Sequence, residues 1–248
     1  MKKILAFLTI CSSFILAGCF DTVQETTVNE DGSGVVVTTS DMGQLLALAS
    51  QMEGSEAMKD APEGTIDSTI SMEEAADSIA DLTPAERSLV RKGSLHLKMN
   101  FKENMFITKL SFPFTTAAEA VICNRLTGKV MAEVLRGKQG QASPTGLPEM
   151  QSIDDYYELV FRNGEISRTL NKEKYAKLGE NEYFKMVSEA SGMGLNGSNN
   201  YVINLPRPAI IAEGKGLKLS EDRKKITIES SPAAFMEDGT ALEYRITY

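Results

Sequence analysis

An order of elements that occurs three times along the chain constrains its fold more than any other sequence feature. Each occurrence has two extended segments joined by a short polar turn and followed by a helical pattern. The three units start near Thr22, Ser94 and Tyr156. They share no residue-by-residue identity, so the repetition is one of architecture and does not establish a duplication.

The third unit gives the clearest local signal. Two alternating segments, 156–162 and 165–170, flank Asn163-Gly164, and this dipeptide is the strongest two-residue signal for a β-hairpin. We expect both turn residues to take positive φ in a type I′ turn, which would fix the register of the two strands.

The same alternation assigns side chains to faces of this hairpin. Tyr157 and Phe161 share one face of the first strand, which we expect to pack inward. Ile166, Arg168 and Leu170 share one face of the second strand.

Other elements follow from capping signals and breaks. Thr83-Pro84-Ala85-Glu86 combines an N-cap threonine, a first-turn proline and a capping-box glutamate, which predicts a helix from Pro84 to about residue 91. Pro113 is expected to end a strand over 105–112, because proline has no N–H for a central strand. Strands are further predicted over 22–29, 35–39, 94–101, 201–205, 217–219, 224–229 and 242–248, helices over 43–52, 71–80, 117–136, 172–178 and 181–190, and loops over 53–70, 138–148 and 192–200.

Hairpins therefore dominate the chain. We predict an α+β fold with antiparallel sheets, built from the three strand-strand-helix units plus a C-terminal hairpin and strand, and with helices packed on one face. Three regions are expected: a signal peptide over 1–18, an acidic segment over 19–82 that carries the anchor and the first hairpin and helix, and the main ectodomain over 83–248.

The first eighteen residues have the plan of a secretory signal peptide. Lys2 and Lys3 precede an apolar run from Ile4 to Ala17, and small residues lead into a cysteine, as in a peptide that is cleaved during export. The run is too short to span a bilayer comfortably.

Leu16-Ala17-Gly18-Cys19 resembles the lipobox of bacterial lipoproteins. The resemblance implies cleavage before Cys19, fatty acylation of its thiol with chains such as palmitate, and anchoring in a membrane of the cell envelope. An aspartate after the cysteine tends to retain such proteins in the inner membrane of enteric bacteria, so Phe20 favours the outer membrane. The alternative is an ordinary signal peptide with a chance cysteine.

Charge is divided unevenly along the chain. Residues 20–82 hold fourteen acidic residues and one basic residue, Lys59, while 83–248 holds twenty acidic and twenty-three basic residues. Nucleic acid is a poor partner for such a chain, since that affinity depends on basic residues that meet phosphates. The acidic segment is expected to be repelled by anionic lipid and to hold the body away from the bilayer.

The cysteines leave no internal disulfide in the mature chain. Cys11 would leave with the signal peptide and Cys19 would be acylated, so Cys123 is the remaining thiol. It lies in a helical pattern, and we expect it to be buried as a small hydrophobic residue.

Catalytic machinery is hard to assemble from these residues. His96 is the single histidine, and its parity with neighbouring polar residues predicts that it faces solvent. The chain has no Gly-x-Ser-x-Gly or His-Glu-x-x-His motif, and one histidine with one free cysteine makes no familiar zinc site. We therefore predict no catalytic residue, no metal site and no cofactor.

Paired carboxylates are present but adjacent. A glycosidase needs two carboxylates that converge across a cleft, whereas neighbours on one element diverge, so solvated faces are expected. The adjacent pairs are Glu73-Glu74, Asp154-Asp155 and Glu221-Asp222.

The C-terminal part carries a second resemblance. The segment Tyr201 to Pro208, the alternating Lys224, Ile226 and Ile228, and the final strand look like the C-terminal layout of uncharacterised lipoproteins of Bacteroidota and, more distantly, of LppM-like lipoproteins. The resemblance implies an antiparallel α+β ectodomain with no known enzymatic activity, and it carries over no functional residue.

Two functions remain open from the sequence. The first is an envelope lipoprotein with a non-catalytic ectodomain that binds a protein or lipid partner or has a structural role. The alternative is an envelope hydrolase that acts on glycan through aspartate or glutamate carboxylates. A cavity with buried carboxylates would favour the hydrolase, and an apolar cavity or patch would favour binding.

Overall fold

The computed structural model describes residues 20–43, 46–47, 64–79, 81–138, 152–192 and 197–248. This part of the chain contains twelve strands, six α-helices and three short 3₁₀ helices. The strands are β1 (Phe20–Val28), β2 (Gly34–Asp41), β3 (Ile66–Ser71), β4 (Ser94–Asn100), β5 (Met105–Phe114), β6 (Tyr157–Arg162), β7 (Glu165–Leu170), β8 (Gly197–Asn204), β9 (Ile211–Gly214), β10 (Leu217–Leu219), β11 (Lys225–Ser230) and β12 (Tyr244–Thr247). The α-helices are α1 (Glu73–Ser78), α2 (Pro84–Lys92), α3 (Ala117–Lys138), α4 (Lys172–Tyr175), α5 (Glu182–Gly192) and α6 (Pro232–Glu237), and the 3₁₀ helices are Ile153–Tyr156, Leu178–Glu180 and Gly239–Leu242.

The strands form two sheets, as the predicted α+β class requires. The large sheet has the order β10-β11-β8-β1-β2-β5-β4-β3, and the small sheet has the order β6-β7-β12-β9. Antiparallel pairing is the rule in both, which confirms the prediction. The exception within the described strands is β1, which pairs in parallel with β8 from Phe20↔Gly197 to Thr27↔Asn204.

The first hairpin lies in the middle of the large sheet. β1 and β2 sit between β8 on one side and β5 on the other, so strands from both sides of residue 83 share this sheet. Residues 20–28 and 34–41 therefore form the hairpin predicted for the first part of segment 19–82, and both of its strands are central in the large sheet. The acidic residues Asp21 and Glu25 lie on β1, and Asp41 ends β2.

Three strand segments were assigned to loops or left out in the sequence prediction. All of β3 except its last residue, Ser71, falls within the predicted loop 53–70, and β8 begins at Gly197 although a loop was expected up to residue 200. β9 was not predicted at all. These segments are short or polar, and their partners lie far away in the sequence, so local patterning carries little signal for them.

Pro113 does not end its strand, because β5 continues to Phe114. The reason is its position in the sheet. β4 pairs with β5 only as far as Ser111, so Pro113 pairs with Val35 of β2 alone. A proline without a strand on one side leaves no ladder bond missing there.

The helix α3 lies between the two sheets, in contact with β2 and β5 of the large sheet and with β6 of the small one. Its buried face carries Ala120, Cys123, Leu126 and Val130, at the spacing of an amphipathic helix. The expectation that Cys123 is buried is confirmed.

The predicted capping box of Thr83 and Glu86 forms at the start of α2. The Ser231 side chain caps α6 by accepting the Ala234 N–H. Of the helix predicted over 43–52, residues 43, 46 and 47 are helical and the others lie outside the described residues. Most of the predicted loop 138–148 also lies outside them.

The hairpin β6–β7 has the predicted register, with Arg162 opposite Glu165. Tyr157 and Phe161 are buried as expected. The predicted turn type is wrong, however, because Gly164 has positive φ (82°) while Asn163 does not. A two-residue turn that turns left-handed only at its second position is not type I′.

Candidate binding cavity

The inner face of the large sheet is polar where it approaches α3. On β1 and β2 this face carries Gln24, Thr26, Thr38 and Ser40, and all four are buried. Buried polar side chains need hydrogen-bond partners, or burial costs free energy. A run of them across two neighbouring central strands is therefore a first sign of a site.

The helix α3 supplies partners for part of this polar face. Asn124 accepts a hydrogen bond from the Gln24 side chain and donates to the Ala120 carbonyl at 2.8 Å. One turn further along α3, Thr127 accepts a 3.4 Å contact from the Thr38 hydroxyl. The helix is thus tied to the sheet by side-chain bonds as well as by apolar packing.

A buried cation lies beside this layer. Arg168 of β7 is 4% exposed, and its guanidinium carbon lies 4.1 Å from the ring centroid of Tyr157 and 4.5 Å from that of Tyr201. Guanidinium groups stack favourably between aromatic faces. This sandwich joins the small sheet, through Tyr157 and Arg168, to β8 of the large sheet, through Tyr201.

Asp154 compensates the charge of Arg168. Its Oδ1 atom lies 2.9 Å from Nη1 of Arg168, and the Tyr201 hydroxyl lies 3.4 Å from both the same Oδ1 and Nη2 of the arginine. Nε of Arg168 is buried and has no hydrogen-bond partner among the described residues. The cluster is therefore neutral overall but not fully bonded.

The titration of the cluster follows from its burial. Burial raises the pKa of Tyr201 to about 12, so its hydroxyl is neutral at physiological pH. Burial opposes the charge on Arg168, but Tyr201 and Asp154 raise its pKa above the ordinary value, so the guanidinium stays protonated.

A cavity of about 150 Å³ lies between the polar face of the sheet, α3 and α5. A cavity of this volume accommodates a group about the size of one benzene ring. Thr22, Gln24, Thr38 and Ser40 form its floor, and Asp154 reaches it from the 3₁₀ helix. Its walls include the apolar side chains Met42, Met131, Ile153, Phe184 and Pro232.

A second, much smaller cavity of about 20 Å³ adjoins Arg168. It shares Gln24, Asp154 and Tyr201 with the first. A space of this size is large enough for no more than about one water molecule. The larger cavity is therefore the candidate site, with the Arg168 cluster as its support.

The larger cavity begins near the start of β1. Thr22 lines it and pairs with Ser40 on one side and with Asn199 on the other, both of which also line it. Since a strand rises about 3.3 Å per residue, this row lies roughly 7 Å from Phe20. The cavity is thus close to the residue that follows Cys19 in the chain.

Cys19 and His96, the residues considered as sites in the sequence, lie away from the cavity or outside the described residues. Cys19, the predicted acylation site, lies outside the described residues. His96 is half-buried, its Nε2 lying 3.2 Å from Asp67 Oδ1 and its Nδ1 3.1 Å from the Thr69 hydroxyl. His96 lines neither cavity described above. Together with Asp67 and Thr69 it forms a surface cluster across β3 and β4.

The pair Asp154-Asp155 diverges, but only one member lies on the expected solvated face. Asp155 is exposed, whereas Asp154 turns inward to Arg168. Glu221 and Asp222 are both exposed in the turn between β10 and β11. Within the described ranges no group of three or more histidine, cysteine, aspartate or glutamate residues is placed to hold a metal ion.

Sequence reasoning missed Arg168, Tyr201 and Gln24 as site residues. One signal was available for Arg168, because its parity places it on the same face of β7 as Ile166 and Leu170, and both are buried. An arginine flanked on its own face by apolar residues indicates a buried cation.

No helix of the described residues is long and apolar enough to cross a membrane.

No protein-family model matches the chain, and no curated protein matches it either. The folded domain of LppM from Mycobacterium tuberculosis, determined by NMR, is a solved structure to which the chain is similar. The TM-score is 0.39 at 7% identity, over 93% of this chain and 89% of the other. This likeness assigns neither a residue nor a function to this chain.

Proposed function

We propose that this chain is a lipid-anchored protein of the bacterial cell envelope, held in the membrane by acylated Cys19, with a non-catalytic ectodomain that binds a lipid. The observation that supports it most is the position of the cavity. Its polar floor starts two residues after Phe20, on the strand that follows the anchor directly. Ligands that reside in the bilayer are the ones closest to such a site.

The lining of the cavity fits an amphiphile. Hydroxyl and amide groups from Thr22, Ser40 and Asn199 provide hydrogen bonds on one side, and Met131 and Phe184 provide apolar contact on the other. Ligand sites are commonly apolar with a few placed polar groups. A small lipid headgroup with the carbon atoms next to it matches this combination and the size of the cavity.

The hydrolase alternative has less support. Asp154 is the one acidic residue among the described residues that line the cavity, and it is committed to Arg168 at 2.9 Å. Two carboxylates on opposite sides of a bond are needed for glycoside hydrolysis. Turnover of a glycan that Asp154→Asn abolishes would overturn the non-catalytic proposal.

The anchor is tested by Cys19→Ala in the full-length chain. We expect the variant to lose incorporation of a fatty-acid probe during metabolic labelling and to leave the membrane fraction, because acyl chains are its proposed attachment. Equal labelling of the variant and the parent would refute acylation at Cys19. The control is Phe20→Leu, a change at the neighbouring position that leaves Cys19 in place. This variant should incorporate the fatty-acid probe normally.

The cavity is tested by filling it. Ser40→Leu adds an apolar side chain on the cavity floor, and Thr39→Leu adds the same side chain to the other face of β2. We expect lipid co-purifying with the protein, measured by mass spectrometry, to be lost in Ser40→Leu and kept in Thr39→Leu. Equal lipid content in both variants, with both folded, would exclude this cavity as the site.

A further inference from the structure

The large sheet begins one residue after the proposed anchor. Phe20 is the first residue of β1 and is already paired with Gly197 of β8. Consecutive Cα atoms are 3.8 Å apart across a trans peptide bond. Acyl chains on Cys19 would therefore hold the end of the sheet at the bilayer surface without any intervening linker.

The pairing registers show which other parts of the protein lie at this end. Asp21 pairs with Asp41, and Asp41 pairs with Ile107 of β5. β5 starts two residues earlier, at Met105, where it pairs with Asn100 of β4. The β4–β5 turn, residues 101–104, therefore projects past the start of β1.

This turn, which we call the β4–β5 tip (Phe101–Asn104), is hydrogen-bonded to the side chain of the residue before it, Asn100. The Asn100 side chain accepts the backbone N–H groups of Lys102 and Glu103 at 3.0 and 3.2 Å and donates to the Thr65 hydroxyl at 3.0 Å. Asn104 takes positive φ (50°). The tip lies about 10 Å to the side of β1, because two strand spacings separate β5 from β1.

The chemistry of the tip suits an interface between water and lipid. Phe101 is half-buried, as are Met105 and Phe106 where β5 starts, and Lys102 and Glu103 are exposed. Aromatic and basic side chains beside apolar ones are typical of segments that lie at the headgroup level.

The opposite end of the sheet differs in position. β8 ends at Asn204, which is level with Thr27 of β1, about 23 Å from Phe20 at the rise of a strand. The β10–β11 turn lies beyond this row, since Lys225 pairs with Asn204. The exposed Ile210 also lies at this end. Its neighbour Ala209 donates its N–H to the carbonyl of Arg223 in the β10–β11 turn at 2.8 Å.

We propose that the ectodomain rests on the bilayer through the β4–β5 tip, with the β10–β11 turn pointing away from the membrane. This orientation depends on the proposed acylation of Cys19. It makes the phospholipid headgroup region the partner of the tip and leaves the Ile210 end free towards the aqueous side.

Two matched positions test the orientation in the full acylated protein. Glu103 and Glu221 are both exposed acidic residues in β-hairpin turns, one at each end of the sheet. Glu103→Cys and Glu221→Cys are each labelled with a fluorophore, while Cys123 stays unlabelled because it is buried. The proteins are reconstituted into vesicles of phosphatidylethanolamine and phosphatidylglycerol that carry a headgroup quencher.

We expect the label at residue 103 to lose most of its fluorescence in quencher vesicles and the label at residue 221 to lose none above the level in free solution. Absence of quenching at residue 103, or equal quenching at both positions, in protein that floats with the vesicles would overturn the orientation. Failure to float would instead contradict the anchor itself, so the two proposals fail in different ways.

Discussion

Arg168 keeps a permanent charge in the interior through one carboxylate and two aromatic rings. We predict that Asp154→Asn lowers the free energy of unfolding by about 1–3 kcal/mol, the cost of leaving a buried polar group poorly paired. The measurement is the midpoint of urea denaturation. Asp155→Asn, at the exposed neighbour, should change stability by no more than about 0.5 kcal/mol. Equal effects of the two changes would mean that the buried pair does not stabilise the fold.

Cys123 gives a second prediction for a single residue. Burial raises the pKa of its thiol to about 12, and the thiolate is the reactive form. We predict negligible reaction with iodoacetamide at pH 8 in the native protein and complete reaction after denaturation. Rapid modification of the folded protein would show that α3 leaves the sheets easily.

Single residues also mark where sequence reasoning stops. The burial of Cys123 follows from helical periodicity, and the fate of Asp155 follows from the divergence of adjacent side chains. The sandwich of Arg168 does not, because Tyr157 and Tyr201 come from different sheets and meet only in the tertiary structure. The cavity is a product of the same meeting, so its lining could not be read from any one segment.

Among the elements, the β6–β7 hairpin depends on one glycine. Gly164 has φ +82°, and a Cβ there would lie 3.2 Å from the Tyr248 carbonyl oxygen. We predict that Gly164→Val costs about 1–3 kcal/mol, which lowers the melting temperature by roughly 2–4 °C per kcal/mol for a chain of this size. Gly179→Val is the control, since Gly179 has neither positive φ nor a neighbour within 4 Å of its Cβ position. An unchanged melting temperature for Gly164→Val would show that the turn tolerates a branched residue.

Elements with local causes were predictable, and elements with distant causes were not. The capping box of α2 and the β6–β7 register follow from residues within a few positions of one another. β3 is a polar strand that exists because β4 offers it an edge. The first residues of β8 are strand because β1 lies alongside them. Patterns within a short window contain neither partner.

At the scale of the whole molecule, the central position of β1 and β2 predicts how the chain tolerates truncation. A fragment of residues 83–248 lacks both strands and leaves β8 and β5 with open edges facing each other across a two-strand gap. We predict that this fragment shows no cooperative thermal unfolding by circular dichroism, whereas residues 20–248 unfold cooperatively. A folded 83–248 fragment would show that it is an independent domain.

The parallel pairing of β1 with β8 also has a consequence for how the chain folds. Phe20 and Gly197 are neighbours in the sheet. Paired residues of these two strands, such as Asp21 and Ser198, are 177 positions apart in the sequence. Contacts of such high sequence separation form slowly, and an unpaired strand edge readily recruits other chains. On the proposed export from the N-terminus, one side of β1 stays open until more than three quarters of the polypeptide has crossed the membrane. Closure of the sheet would then compete with aggregation beside the membrane, after translocation is nearly complete.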